Sequence, residues 1–367
     1  SQDGTQLTAA GRSLHIWDAG SGQLVRHISG AKFDAALNAD GSFAAVIGDT
    51  TQLWDLKRAR PLNTSGVSCQ PVKGFALSSS GDKLIGHAYP FIVVCNTATG
   101  NLRRFETSLF AVTHIALSPD ELRLISVDLI GAVEIWNVMT GKVIQKLSPR
   151  VPRVSYVGFS PDGLSAVATS RDGSTRIWEA TSGVLKHKLE GHTDSVVQAT
   201  WSRDGRRILT ASGDGTARVW DTASGRSLHT LAGHRGAVLQ VAFDSEEIRV
   251  LTTSNDGTAR VWDAASGRFL YSLEGHRGAV LAAQFTPDGT RIATASVDGT
   301  VRIWPGVMPD AMVEAIDQRL GKQLDTHEKV ELGLSLDWND QLALFRSKLL
   351  EFLSRLAAKE SSSAATP

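Results

Sequence analysis

Residues 215–243, GTARVWDTASGRSLHTLAGHRGAVLQVAF, and residues 257–285, GTARVWDAASGRFLYSLEGHRGAVLAAQF, are nearly the same stretch written twice. Such self-similarity marks a repeat architecture, in which one small unit cannot bury its apolar face alone and stacks on copies of itself. The tryptophans measure the period. Trp136, Trp178, Trp220, Trp262 and Trp304 lie 42 residues apart, and upstream Cys95, Trp54 and Trp17 follow at steps of 41, 41 and 37. Each period holds four short alternating or β-branched runs between Gly, Asp, Asn and Ser punctuation, which reads as four strands. Around Trp262 the runs are AVLQVAF, IRVLTTS, TARVWD and RFLYSL, divided by DSEE, by Asn255-Asp256-Gly257 and by Ser266-Gly267.

Gly-His, then Asp-Gly, then Trp-Asp at this spacing resembles the WD-repeat family of β-propellers, over residues 1 to about 304. The resemblance implies an all-β ring of four-stranded blades. Ser1-Gln2-Asp3-Gly4 matches the SPDG of Ser160 to Gly163, so the chain opens inside a repeat, without an initiator methionine, and reads as a fragment of a longer, bacterial-type tandem-repeat protein. The first repeat lacks a first strand, and the last stops after its third strand, where Pro305 blocks continuation. In the family an N-terminal strand typically completes the last blade, and residues 22–29 (GQLVRHIS) are placed to do so. This closure favours seven blades over residues 20–304, with residues 1–19 left as the remnant hairpin of an upstream repeat. The rival is eight blades, which leaves unpaired edges on both sides of the seam.

The resemblance also assigns a structural hydrogen-bonded set to each regular repeat: His192, Thr210, Asp214 and Trp220; His234, Thr252, Asp256 and Trp262; His276, Thr294, Asp298 and Trp304. The repeats from Trp17 to Trp136 are degenerate, with Cys95 at a tryptophan position and Ile130 where later repeats carry Asp. The repeat of Trp178 keeps Asp172 but has Ala168 and Ser148-Pro149 where the Thr and Gly-His belong, so it cannot form the full set.

Composition narrows the function classes. Lysine plus arginine equals aspartate plus glutamate at 38 each, so no overall field favours nucleic acid or an anionic membrane. Two cysteines, Cys69 and Cys95, cannot make a disulfide framework for a body this large; Cys95 reads as a small buried hydrophobe, and the compartment as a reducing cytosol. No apolar run approaches the length of a membrane span. A Ser-His-Asp type of catalytic reading loses to the structural one, because the Thr, His and Asp trio recurs at the period of the fold. No G-x-S-x-G, phosphate loop, H-E-x-x-H or C-x-x-C occurs, so neither a cofactor nor a metal site is expected. Arg176, Arg218, Arg260 and Arg302 recur two residues before each Trp and read as packing between blades with a snorkelling head group.

After Pro305 the period lengthens to that of a helix, predicting a helical tail over 305–358 and a disordered end over 359–367. Its strongest element is a final helix with Trp338, Leu342, Phe345, Leu349, Phe352 and Leu356 on one face, packed on the propeller or serving as a seam for a partner helix. The whole reads as a cytoplasmic, non-catalytic protein–protein interaction scaffold. The alternative, resting on similarity to bacterial multidomain proteins, is the sensor end of an enzyme whose catalytic domain lies upstream. In the family the loops before first strands and the turns between second and third strands share one face, and here they carry Arg150, Arg153, Arg171, Arg235 and Arg277, with Asp194 the one comparable acid. That basic centre suits an acidic or phosphorylated segment of another protein.

Overall fold

The computed structural model describes strands and adjoining turns between residues 6 and 107 and the continuous run 111–306. The predicted tail helices and the disordered end lie outside the described residues. All regular structure described is β: thirty strands assemble into eight antiparallel sheets taken in chain order. Among the described residues no helix is long and apolar enough to cross a membrane.

The Trp220 sheet shows why the period folds this way. Val196–Trp201, Arg207–Ser212, Thr216–Asp221 and Ser227–Ala232 pair in chain order as a meander. Its tight turns end on glycines at positive φ, Gly205 at 69°, Gly215 at 81° and Gly225 at 69°, which L-residues adopt only at a cost. The second strand is buried along most of its length, whereas the fourth alternates towards solvent. The apolar second and third strands need cover on both faces, and the next sheet provides it. One core cluster joins Leu209, Ala211, Val219 and Leu231 of this sheet to Val238, Val241, Val250 and Trp262 of the following one. Equivalent clusters seat Trp220, Trp178 and Trp136 against the sheets before them. In these four sheets the core therefore lies between sheets, the tryptophan of each buried against its predecessor.

First strands carry a bulge at one register, between Val112 and His114, Val154 and Tyr156, Val196 and Gln198, Val238 and Gln240, and Val280 and Ala282. A bulge re-aims the side chain that follows it. Gln198 Oε1 accepts from the Val241 amide at 2.8 Å and Gln240 Oε1 from the Ala283 amide at 2.7 Å, so neighbouring first strands are tied directly.

Both ends depart from the expected seven-blade closure. Leu24–Ile28 pairs with Leu14–Asp18, which in turn pairs with Gln6–Ala10. Among the described residues Leu24–Ile28 is paired with the first sheet and not the last, and the strands within 1–19 form a three-stranded sheet with it. The last sheet comprises Val280–Phe285, Arg291–Ser296 and Val301–Pro305. The physical reason is local: Leu24–Ile28 is separated from Leu14–Asp18 by a short turn in which Ser21 bonds Asp18, so pairing costs little chain entropy. Cys95 is also corrected. It is buried, as its position demands, and disulfide-bonded.

Candidate functional site: the loop face

Three sheets share one polar constellation where the loop before the first strand meets the turn after the second. In the Trp220 sheet the indole Nε1 donates to Thr210 Oγ1 at 2.8 Å, Thr210 Oγ1 lies 2.8 Å from His192 Nε2, and His192 Nδ1 lies 2.8 Å from Asp214 Oδ2. In the Trp262 sheet the matching distances are 2.9 Å to Thr252, 2.8 Å to His234 and 2.9 Å to Asp256. In the Trp304 sheet they are 2.8 Å to Thr294, 2.7 Å to His276 and 2.9 Å to Asp298.

Each carboxylate is saturated. Asp256 Oδ2 also accepts the Arg235 amide, and its Oδ1 accepts the amide and hydroxyl of Thr258. Burial alone would raise the Asp214 carboxyl, but hydrogen bonds from Thr216, His192 and the Thr193 amide outweigh it and bring it down to about 2. Asp256 is lowered by the same contest between burial and its donors. Burial lowers His192 and His234 against the opposing pull of their aspartates, with Arg218 and Arg260 adding to the lowering. The imidazoles of His192 and His234 are therefore neutral at pH 7. An acceptor-only aspartate puts the proton on Nδ1, leaving Nε2 to accept from the threonine hydroxyl, which in turn accepts the indole N–H. The connectivity is that of a nucleophile, base and acid, yet Thr210 and Thr252 are fully buried and already engaged on the indole.

Arg218, two residues before Trp220, clamps the loop of its own sheet. Arg218 Nη2 donates to the Gly191 carbonyl at 2.9 Å, and its guanidinium lies 5.7 Å from the Trp220 ring centroid. Gly191 and Gly233 have φ of 145° and 146°, and a Cβ there would fall within 2.6 Å and 2.5 Å of Arg218 and Arg260 nitrogens. The glycine of Gly-His thus makes room for a guanidinium.

The Trp178 sheet is built differently. His192 lies 28 residues before Trp220, and the residue 28 before Trp178 is Arg150, so an arginine holds the histidine register. Ala168 offers no hydroxyl, and the Trp178 indole donates instead to the Ser148 carbonyl at 2.9 Å. Asp172, without a histidine, bonds Ser174 and faces Arg176 at 3.7 Å, and Arg150 is exposed.

All five arginines singled out from sequence, Arg150, Arg153, Arg171, Arg235 and Arg277, are exposed. The structure brings Arg153 and Arg171 together, the Arg171 amide donating to the Arg153 carbonyl at 3.0 Å. It fixes Arg235 and Arg277 separately, through their amides to Asp256 and Asp298, each at 2.9 Å. Asp194 is exposed and accepts the Ser195 amide. Among the described residues no cluster of His, Cys, Asp or Glu is arranged to hold a metal.

On the opposite turns, sequence reading missed a second periodic network. Arg207 stacks over Phe243 at 5.0 Å and Arg249 over Phe285 at 4.6 Å, each in the following sheet. Arg207 Nη2 also reaches the Glu247 carbonyl and carboxylate, so it is a half-buried bridge rather than a free surface charge. The signal was available as Arg and Phe recurring at the period of the tryptophans.

The sequence model of the family described as "WD domain, G-beta repeat" matches residues 141–179, 183–221, 225–263 and 267–305. The chain is of the WD-repeat β-propeller type. Each matched WD repeat contains the fourth strand of one sheet and the first three of the next, so the covalent unit straddles the interface it stabilises. The crystal structure of the computationally designed Ika8 protein is similar, with a TM-score of 0.71 at 25% identity, covering 82% of this chain and 93% of that one. No curated protein matches the chain. WD repeats generally mediate protein–protein interaction.

Proposed function

We propose that this chain is a non-catalytic interaction scaffold that takes its protein partners on the loop face, with an acidic or phosphorylated segment as the preferred ligand. The observation that carries the reading is a set of exposed arginines on backbone already fixed by hydrogen bonds, as at Arg235 and Arg277. Fixed backbone lowers the ordering cost of binding, and clustered cations focus the field in a chain of zero formal charge. Neither cofactor nor metal enters this reading, and neither nucleic acid nor membrane is the partner. The eight sheets favour eight blades over seven for the frame that carries this face.

The test is a triple charge reversal, Arg153→Glu, Arg235→Glu and Arg277→Glu, followed by crosslinking capture from a native lysate. Captured partners should be lost while the melting temperature stays within error. The opposite-face control is Arg203→Glu with Arg206→Glu, both exposed; the bridging Arg207 would confound it. Partners retained by the triple variant and released by the control would refute this choice of face.

A further inference from the structure

Among the described loops that precede a first strand, the one before Val154 differs from those at residues 191–195, 233–237 and 275–279. It has no buried histidine, and it is held by backbone instead. The Ser148 carbonyl takes the Trp178 indole, the Val151 amide donates to the Gly131 carbonyl at 2.8 Å, and the Pro152 carbonyl accepts the Ser170 hydroxyl at 2.5 Å. With Arg171 tied to the Arg153 carbonyl, one pinned stretch presents three exposed guanidinium groups, from Arg150, Arg153 and Arg171.

Beside this basic stretch lies an apolar one. The turn that ends at Gly131 carries Leu129 and Ile130, 61% and 51% exposed, at the registers held in the next sheet by Arg171 and Asp172. Their amides are already engaged, Leu129 on the Ala111 carbonyl and Ile130 on Asp128 Oδ1. A Cβ on Gly131 would fall 2.0 Å from the Val151 carbonyl oxygen, which shows how closely the two segments meet. Acids near the three arginines are occupied or displaced. Asp128 is buried and accepts two amides, Asp172 serves Ser174 and Arg176, and Asp194 sits on the next loop.

We propose that Leu129, Ile130, Arg150, Arg153 and Arg171 form a composite docking site for an extended acidic peptide segment, in which a bulky aliphatic anchor sits beside a run of carboxylates. This rests on the loop-face reading and narrows it to one sector. Exposed aliphatic side chains gain by desolvation against a like anchor, and rigid arginines gain by complementary charge and faster encounter. The charge favours a run of carboxylates over a single phosphate. Within the site the three cations stand at separate backbone positions, Arg150 and Arg153 on the loop before Val154 and Arg171 on the turn before Gly173, so each can meet its own carboxylate.

The experiment uses the full chain and a fluorescein-labelled peptide containing a leucine pair followed by a run of glutamates, read by fluorescence anisotropy at fixed salt. Arg150→Glu with Arg171→Glu should weaken binding roughly tenfold or more, and Arg150→Gln with Arg171→Gln by less. Leu129→Ser with Ile130→Ser should weaken it about tenfold through lost apolar contact, and a peptide with serines for leucines should bind the native protein as weakly as that variant binds the original. Unchanged affinity in the arginine variants, or equal affinity for the leucine-free peptide, would overturn the proposal. So would binding of a matched peptide bearing one phosphoserine in place of the glutamates with none of the original. Loss on Arg235→Glu with Arg277→Glu, but not on Arg150→Glu with Arg171→Glu, would keep the loop face and overturn this sector. No binding of any probe would also overturn the sector, while lysate capture still sensitive to the triple reversal would leave the broader reading standing.

Discussion

Replacing Thr252 by valine keeps the shape of a fully buried side chain and removes one hydroxyl. That hydroxyl lies 2.9 Å from the Trp262 indole nitrogen and 2.8 Å from His234 Nε2, with the Arg260 carbonyl further off at 3.4 Å; the first two depend on it. Each would be left buried without a partner, at about 1–3 kcal/mol apiece, so the loss should be about 2–6 kcal/mol. Thr253 provides the control. It is 1% exposed and its hydroxyl has no partner, so Thr253→Val should be neutral or slightly stabilising. Urea denaturation of both variants beside the native chain reads the difference, and exchange of the Trp262 indole proton locates it. Equal denaturation midpoints for the two valine variants would refute the claim that the set, rather than threonine packing, stabilises this sheet.

Stability should fall with acid in two stages. His192 and His234 resist protonation in the fold, so the unfolded chain binds more protons as pH drops below the ordinary value of 6.5, and stability declines there. Asp214 lowered from 3.8 to about 2 adds a second loss as pH falls through that window. A melting temperature flat from pH 7 to pH 4 would contradict the first stage. Hydrogen exchange should be slower across the Trp220 and Trp262 sheets, which have the complete set, than across the Trp136 and Trp178 sheets, which lack it; mass spectrometry of peptic fragments decides. Gly131→Ala should destabilise far more than Gly205→Ala by thermal melting. Both glycines have positive φ, at 82° and 69°, but only the first would drive a Cβ into backbone, whereas nothing lies within 4 Å of the second.

The tryptophan spacing and the turn glycines made the four-stranded unit legible, because both are imposed by local geometry and by one repeated interface. The composition of each His, Thr, Asp and Trp set was also legible, since its members recur together. Strand pairing at the two ends was not. Whether Leu24–Ile28 joins the first sheet or the last depends on loop entropy against a distant edge, and periodicity weighs neither. The arginines before each Trp were assigned to packing between blades, but Arg218 instead holds Gly191 of its own sheet, a contact 27 residues back in the chain. Arg150 was overlooked as the occupant of the histidine register because the neighbouring Ser148-Pro149 was aligned there, one residue out of step.

The ties between first strands have a consequence for how such a chain can change over time. The bond from Gln198 to Val241 is chemically the same as that from Gln240 to Ala283, each spanning 43 residues, so the leading surface of one unit is already complementary to the trailing surface of its copy. This is head-to-tail association carried out within a single polypeptide. A tandem duplication of forty-two codons would therefore insert a unit whose two contacts are satisfied on arrival, and an unequal exchange between the nearly identical segments at 215–243 and 257–285 would delete one without exposing a foreign face. Copy number becomes heritable variation that the interfaces tolerate.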